Sequence, residues 1–248
     1  MSFIFTVSPD FTPAHLSGWY IFNTWLQKET GLALHLELYD DFQSQRDAIQ
    51  NDTIDLIYAN SFDAAILVRE KGFLPLVKGA GESDETVIAV PDESHIIDVS
   101  ELNAGVNIAF TNNPDVKVLG MMMLEPADLG VDNINTLSMD SYILVAKSLL
   151  KKEAEVGVFL AAAYDGLSSM IKKQLRVLVR SEVNVIHHSL MIGPRLLEQS
   201  AAIQEALLAM NADVKGQGIL NDLGFKAWEK SDKEEMEFMI DLMEGLAN

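Results

Sequence analysis

Residues 54–76 read "IDLIYANSFDAAILVREKGFLPL". The apolar run Ile54–Ala59 has the length and composition of a buried strand, and it stops abruptly at Asn60-Ser61. An amphipathic helix then starts near Phe62 and ends at Gly72, a helix-stop residue. The strand therefore delivers Tyr58, Asn60 and Ser61 to the mouth of a helix. Asn and Ser are favoured N-caps, and the same side chains, beside the open amides of a helix start, can also hold a ligand. One residue can do both.

The pattern recurs along the chain. "FTVSPDFTPAHLSGWYIF" and "NIAFTNNPDVKVLGMMML" each read as strand, polar loop, helix, and "VGVFLAAAYDGLSSMIKK" runs from a strand straight into a helix. Strands are expected at 3–7, 33–38, 54–59, 86–90, 107–110, 133–137, 156–160, 175–179 and 184–188. Helices are expected near 14–29, 43–51, 62–71, 115–125, 140–151, 162–173, 195–211, 216–223 and 233–246, with Gly31, Gly72 and Gly130 at their ends. Alternation of this kind implies an α/β fold with mostly parallel sheets. The recurrence favours two similar lobes over one long sheet.

Two segments can join those lobes, "ETVIAVPDES" (85–94) and "SEVNVIHHSLMIG" (181–193). The expected organisation is a discontinuous first lobe, 1–88 plus 189–248, and a second lobe, 89–188, with the ligand cleft between them. Lobes joined by two strands can hinge. In open α/β sheets, ligands gather at the carboxyl ends of the strands, where the polar loops lie.

Composition narrows the functions. The chain has 248 residues, 48% of them hydrophobic, enough for a sizeable core. Net charge is −19, from 37 acidic and 18 basic residues, which argues against nucleic acid as a partner. A small anion remains compatible, because backbone N–H groups can hold it locally. No apolar run reaches the length of a membrane span, so no membrane insertion is expected. "MSFIFTVSPDF" shows no signal-peptide pattern. The expected compartment is cytoplasmic if Met1 is the native start and periplasmic if the chain is a trimmed mature form. With no cysteine there is no disulfide, thiolate site or cysteine nucleophile.

The candidate site residues sit in the loops that follow strands. "SPDFTPAH" offers Phe11, as a ring wall, and Thr12; "FTNNPDV" offers Thr111, Asn112 and Asn113. Pro114 suits a first helical position and Asp115 the positive helix end. "LSMDSYILV" offers Ser138, Asp140 and Ser141 before a helix, with Tyr142 in its first turn. Each group can equally be a capping set. His187 and His188 are neighbours in an expected strand and point to opposite faces, so they do not chelate one ion together. One of them, His187, is placed toward the cleft. Met121, Met122 and Met123 cannot share a helix face and are read as core, as is the apolar stripe of "SDKEEMEFMIDLMEGL". No GxSxG, HExxH or Gly-rich phosphate loop is present, so no catalytic residue, metal or cofactor is expected, and the chain is read as a non-enzyme. The alternatives are an enzyme on the same fold, or a cytoplasmic sensor or partner-docking module.

Taken together, "WYIFNTWLQKETGLALHLELYDDFQSQRDAIQNDTIDLIYANSFDAAILVREKGFLPL" and "LGFKAWEKSDKEE" make the chain resemble the phosphonate/phosphite-type (PhnD-like) solute-binding proteins of ABC transporters, of the type II periplasmic-binding-protein fold. The resemblance covers nearly the whole chain. It implies two hinged α/β lobes that capture a small polar or anionic ligand without turnover, for ABC-type uptake or sensing, with a permease or sensor domain as partner. It places cleft residues on Phe11, Tyr58 and Asn60 in one lobe. In the other it places them on Thr111, Asn112, Asn113 and the 138–141 loop, with Glu182 near the return crossing. The chain departs from the family pattern at "TNNPD", where phosphonate and phosphite binders carry a Ser/Thr-rich loop with glycine, and at Met139, where the family often has a histidine. Asp115 would also repel a dianion at close range. These departures point to a neutral or zwitterionic ligand, and Phe11, Tyr58 and Tyr142 suit one with an apolar or cationic part.

Overall fold

The computed structural model of the chain describes residues 2–10 and 13–247. In chain order the strands are β1 (Phe3–Val7), β2 (Leu34–Leu36), β3 (Leu56–Ala59), β4 (Leu74–Gly79), β5 (Thr86–Pro91) and β6 (Asn107–Phe110). They continue with β7 (Asn135–Ser138), β8 (Val156–Leu160), β9 (Leu175–Arg180), β10 (Ser189–Ile192) and β11 (Trp228–Lys230). The α-helices are α1 (Leu16–Thr30), α2 (Phe42–Gln50), α3 (Ser61–Ala65), α4 (Pro114–Met123) and α5 (Tyr142–Leu150). After them come α6 (Ala161–Asp165), α7 (Ser169–Lys172), α8 (Ser200–Leu208), α9 (Val214–Leu223) and α10 (Lys233–Ala247).

The chain divides into two compact units, Met1–Glu82 with His187–Leu242 and Ser83–Ile186 with Met243–Asn248. The first holds a six-stranded sheet in the order β11-β4-β10-β3-β1-β2, and the second a five-stranded sheet in the order β7-β6-β8-β5-β9. Each has a three-strand parallel core: β1 pairs in parallel with β2 and β3, and β6 with β7 and β8. The flanking strands are antiparallel, β10 on β3 and β4, β11 on β4, and β5 on β8 and β9. The sheets are thus more mixed than βα alternation implies. In the first unit the antiparallel strand β10 is the one that returns to it, and in the second it is β5, the strand that opens it.

In the first unit Phe5, Leu56 and Val77 pack with Trp19, Phe22 and Leu26 of α1, all essentially shielded from solvent. Trp19 meets Phe22 edge-on at 5.6 Å and lies 5.0 Å from Tyr58. Gly31 ends α1 in the left-handed region (φ 70°), its N–H donating to Gln27 O. Gly18 brings α9 close to α1: a Cβ there would sit 2.6 Å from Asp222 O. In the second unit alternate residues of β5, β6 and β8 divide between two cores. Ile88, Ile108 and Val158 face one, and Val87, Ala89, Ala109 and Phe159 the other. Both faces are covered, which explains why these strands read as unbroken apolar runs.

Several expectations are corrected. Residues 184–188 form no strand: the backbone N–H groups of Val183 and Asn184 donate to Glu85, and Asn184 takes φ 58°, so no ladder can start until Ser189. Strand β4 escapes a pattern search because Pro75 sits in it, accommodated where the β10 register shifts between Leu190 and Met191. The three-residue β11 is too short to show a period. The helix expected at 162–173 breaks at Gly166–Ser168, and Ser168 caps the new start at α7. The segment 195–211 is 3-10 helix at Pro194–Gln199 and Met210–Ala212 around α8. After α3 the chain widens into a π turn, Ile66–Glu70, before Gly72 at φ 69°. At the Gly130 corner it is Asp128 that adopts the left-handed conformation (φ 55°).

Candidate functional site

In the first unit the parallel pairing of β1 and β3 aligns their carboxyl ends, and antiparallel β10 sets its first residue beside β3, with Ser189 opposite Ala59. Ser8, Asp10, Tyr58 and Asn60 thereby share one end of the sheet with His187 and His188. His188 Nε2 lies 3.1 Å from both carboxylate oxygens of Asp10, and its ring stacks on Tyr58 with centroids 5.4 Å apart at 26°. Burial works against an ionised Asp10. The charge of His188 and hydrogen bonds from His188, Ser8 and its own backbone outweigh it and hold the carboxyl below its ordinary range. Tyr58 also touches Phe225 and Trp228, at 5.6 and 5.9 Å, so an aromatic floor fixes its ring.

Asn60 is committed inside the unit. Its Oδ1 accepts from Asp63 N at 2.8 Å, capping α3, while its Nδ2 donates to Ser8 Oγ (3.1 Å) and Asp63 Oδ2 (3.0 Å). Asp63 is buried and receives Arg46 Nε at 2.5 Å; the guanidinium itself lies over Phe62, 4.8 Å from the ring centroid. Ser61 is buried beside it. His187, also buried, keeps Nδ1 at 3.1 Å from Ser189 Oγ and Nε2 at 3.7 Å from Glu235. Of the two histidines it is His188 that joins Tyr58 and Asp10. Phe11 and Thr12 lie outside the described residues.

In the second unit parallel pairing likewise aligns the ends of β6 and β7. Ser138 Oγ donates to Asn112 Oδ1 at 2.9 Å, tying the two loops together. Asn113 caps α4, accepting from Val116 N at 3.1 Å, and Thr111 Oγ1 accepts from Asn113 N. Ser141 caps α5 through Leu144 N. Asp115, in the first turn of α4, is fully buried, and a carboxylate oxygen of Asp84 comes within 4.8 Å of one of its own. Asp140 is exposed, and Tyr142 is half-buried with its ring 6.3 Å from Phe159. Glu182 is exposed. The acid that organises this corner is Glu85, which accepts from Ser181 Oγ, Val183 N (3.1 Å) and Asn184 N (2.6 Å). Partial burial opposes its charge, yet these bonds and one from Ser83 keep its carboxyl below the ordinary value. Asp10, Asp84 and Glu85 escaped notice because acidity is general in this sequence. A period-2 count through the histidine pair does not say which ring faces the site when the segment is not a strand.

Two units, each a mixed sheet flanked by helices with polar loops at its parallel strand ends, define a type II periplasmic-binding-protein fold. The family model described as ABC transporter, phosphonate, periplasmic substrate-binding protein matches residues 5–236, and the chain belongs to that family. It is a solute-binding protein of ABC transport, and its family is not a class of enzymes. Among solved structures, the fold is similar to PhnD1 from Prochlorococcus marinus in complex with methylphosphonate, with a TM-score of 0.82, 10% identity, and 99% of this chain and 98% of that one covered. XAC2383 from Xanthomonas citri bound to chloride ion gives 0.80 at 18% identity, covering 99% and 97%. A binding-protein component of an ABC phosphonate transporter from Pseudomonas aeruginosa gives 0.77 at 16% identity, covering 100% and 89%. No curated protein sequence matches the chain significantly. Among the described residues no helix is long and apolar enough to cross a membrane.

Proposed function

We propose that this chain captures a small zwitterionic solute, one with a cationic amine as well as an anionic or polar end, and hands it intact to an ABC permease. The observation that carries this is the buried carboxylate of Asp115 in the first turn of α4, with the Asp84 carboxylate close by. A ten-residue helix start is a natural place for an oxyanion, but here the chain's own carboxylate answers the positive end. Two neighbouring carboxylates favour positive charge near them, and a ligand amine would add to the contacts that Asp84 and Asp115 already make within the fold. The strand-end loops "SPDFTPAH", "YANS", "FTNNPDV" and "LSMDSY" contain no lysine or arginine to neutralise a dianion. Binding without turnover, to the exclusion of nucleic acid, completes the reading, and a sensor domain is the alternative partner.

A thermal-shift panel tests it. 2-Aminoethylphosphonate and related amine-bearing probes should stabilise the protein, by about 2.7 kcal/mol at a hundredfold excess over the dissociation constant. Asp115→Asn should weaken those probes more than amine-free ones. Equal or tighter binding of methylphosphonate or inorganic phosphate would overturn the amine assignment.

A further inference from the structure

Inside the first unit one line of polar side chains runs from helix α2 to the end of β3. Arg46, on α2, donates from Nε to Asp63 Oδ1 at 2.5 Å and from Nη2 to Asp63 Oδ2 at 3.4 Å. Its guanidinium lies over the rings of Phe42 and Phe62, at 5.5 and 4.8 Å, which hold it in place. Asp63 Oδ2 also accepts from Asn60 Nδ2, which donates as well to Ser8 Oγ. With its oxygen taken by Asp63 N, the Asn60 amide has a single orientation. Ser8 Oγ thus accepts from Asn60, and its own proton goes to the Asp10 carboxylate. Asp10 holds His188, and His188 lies against Tyr58.

The backbone beneath this line is fixed independently. Gln45, the neighbour of Arg46, donates to Thr6 Oγ1 and Val7 O, so α2 grips the chain just before Ser8, and Ser8 N donates to Tyr58 O. A change at Arg46 therefore acts on the directions of side chains and leaves the strands where they are. Ser8, Asn60 and Asp63 are buried, whereas the Arg46 side chain keeps 26% of its exposure. We infer that Arg46 is a positioning residue: by neutralising Asp63 it keeps the Asn60 amide and the Ser8 proton aimed along the line to Asp10, and so sets the His188–Tyr58 face that is offered to the solute. Charge-assisted bonds are the strong members of such a network, and buried networks respond as a whole. Without the guanidinium, Asp63 has to take up a proton or a water molecule. Its hold on the Asn60 amide then weakens, and the Ser8 hydroxyl is released to turn away from Asp10.

Two readouts test this. The first needs no solute: the imidazole Cε1–Hε1 resonance of His188, one of five histidines in the chain, assigned against a His188→Gln variant. Arg46→Gln should move that resonance, and Arg46→Lys should bring it back toward the wild type. Asp63→Asn should move it too, without leaving a buried charge unpaired. The second readout, which rests on the solute reading above, is calorimetric titration with 2-aminoethylphosphonate. Arg46→Gln should weaken binding by roughly 2- to 30-fold in fully folded protein. With Ser8→Ala already in place the line is cut, and Arg46→Gln should add nothing to either readout. A merely structural Arg46 would lower the melting temperature and leave both readouts in the folded protein unchanged. A His188 resonance that neither Arg46→Gln nor Asp63→Asn moves overturns the proposal, and so does an Arg46→Gln effect of the same size in Ser8→Ala. A resonance that responds in a protein binding no amine-bearing probe upholds the positioning role and overturns the solute reading instead.

Discussion

The ring of Tyr58 lies flat against the imidazole of His188, and the same imidazole reaches both oxygens of Asp10. A residue at the end of β3 is thus coupled to the loop after β1 through a side chain that precedes β10. Tyr58→Ala should destabilise the first unit by about 3–4 kcal/mol, because the ring is buried among Trp19, Phe225 and Trp228. Tyr58→Phe keeps the ring and should cost far less than Tyr58→Ala. A loss of solute affinity in Tyr58→Phe alone would assign the hydroxyl to the ligand.

Asp10→Asn removes the charge that faces His188 while keeping the shape. The Asp10 carboxyl is held below its ordinary range in the folded protein, so its contribution is present above about pH 4 and is lost as pH falls through the lower folded value. The variant should therefore melt lower than the wild type near neutrality, with the gap closing in acid. A constant gap down to pH 3 would show that the carboxylate charge is not what the native state gains.

Asp63 is buried and receives bonds from both Asn60 and Arg46. Asp63→Ala leaves the Asn60 amide and the guanidinium without their acceptor and should cost about 2–4 kcal/mol in urea unfolding. Arg46 retains some access to solvent, which holds the loss toward the lower end.

Ser138→Ala deletes the hydrogen bond that joins the loops after β6 and β7. Both residues are exposed, so stability should fall by no more than about 1 kcal/mol. Isothermal titration with an amine-bearing probe should nonetheless show weaker binding, because the loops lose their mutual register. Unchanged affinity would place the ligand away from this pair.

Glu85→Gln should soften residues 181–184. Glu85 also has a lowered pKa, so its contribution is full above about pH 4.3 and is lost as pH falls below it. Protection of the Val183 and Asn184 amides from hydrogen exchange should fall in the variant at neutral pH, and in the wild type only in acid.

The βα units and the two-sheet architecture were legible because buried strands announce themselves as apolar runs ending in caps: "DLIYANS" and "NIAFTNN" are both such signals, and both produce strands where expected. β4 and β11 were not, because Pro75 breaks the pattern in one and three residues carry no period in the other. The caps at Asn60, Asn113 and Ser141 were legible from local chemistry alone. The long-range pairs were not. Asp10 with His188 lies 178 positions apart in sequence, and Glu85 with Asn184 lies 99 apart. Such pairs follow from tertiary topology, and no local rule marks one carboxylate among 37 acidic residues.

Glu85 also changes what the return segment can tolerate. A strand ladder ties every residue to a partner, so one inserted residue turns all later side chains over. Residues 181–184 are instead gathered by a single carboxylate that accepts three donors at once. The passage is also pinned at its two ends, where Ser181 N donates to Thr86 O and Asp84 N to Ile186 O. Only the few residues between those ends are free of a ladder, so a change of length is absorbed in the turn around Glu85 and goes no further than the two pinned ends.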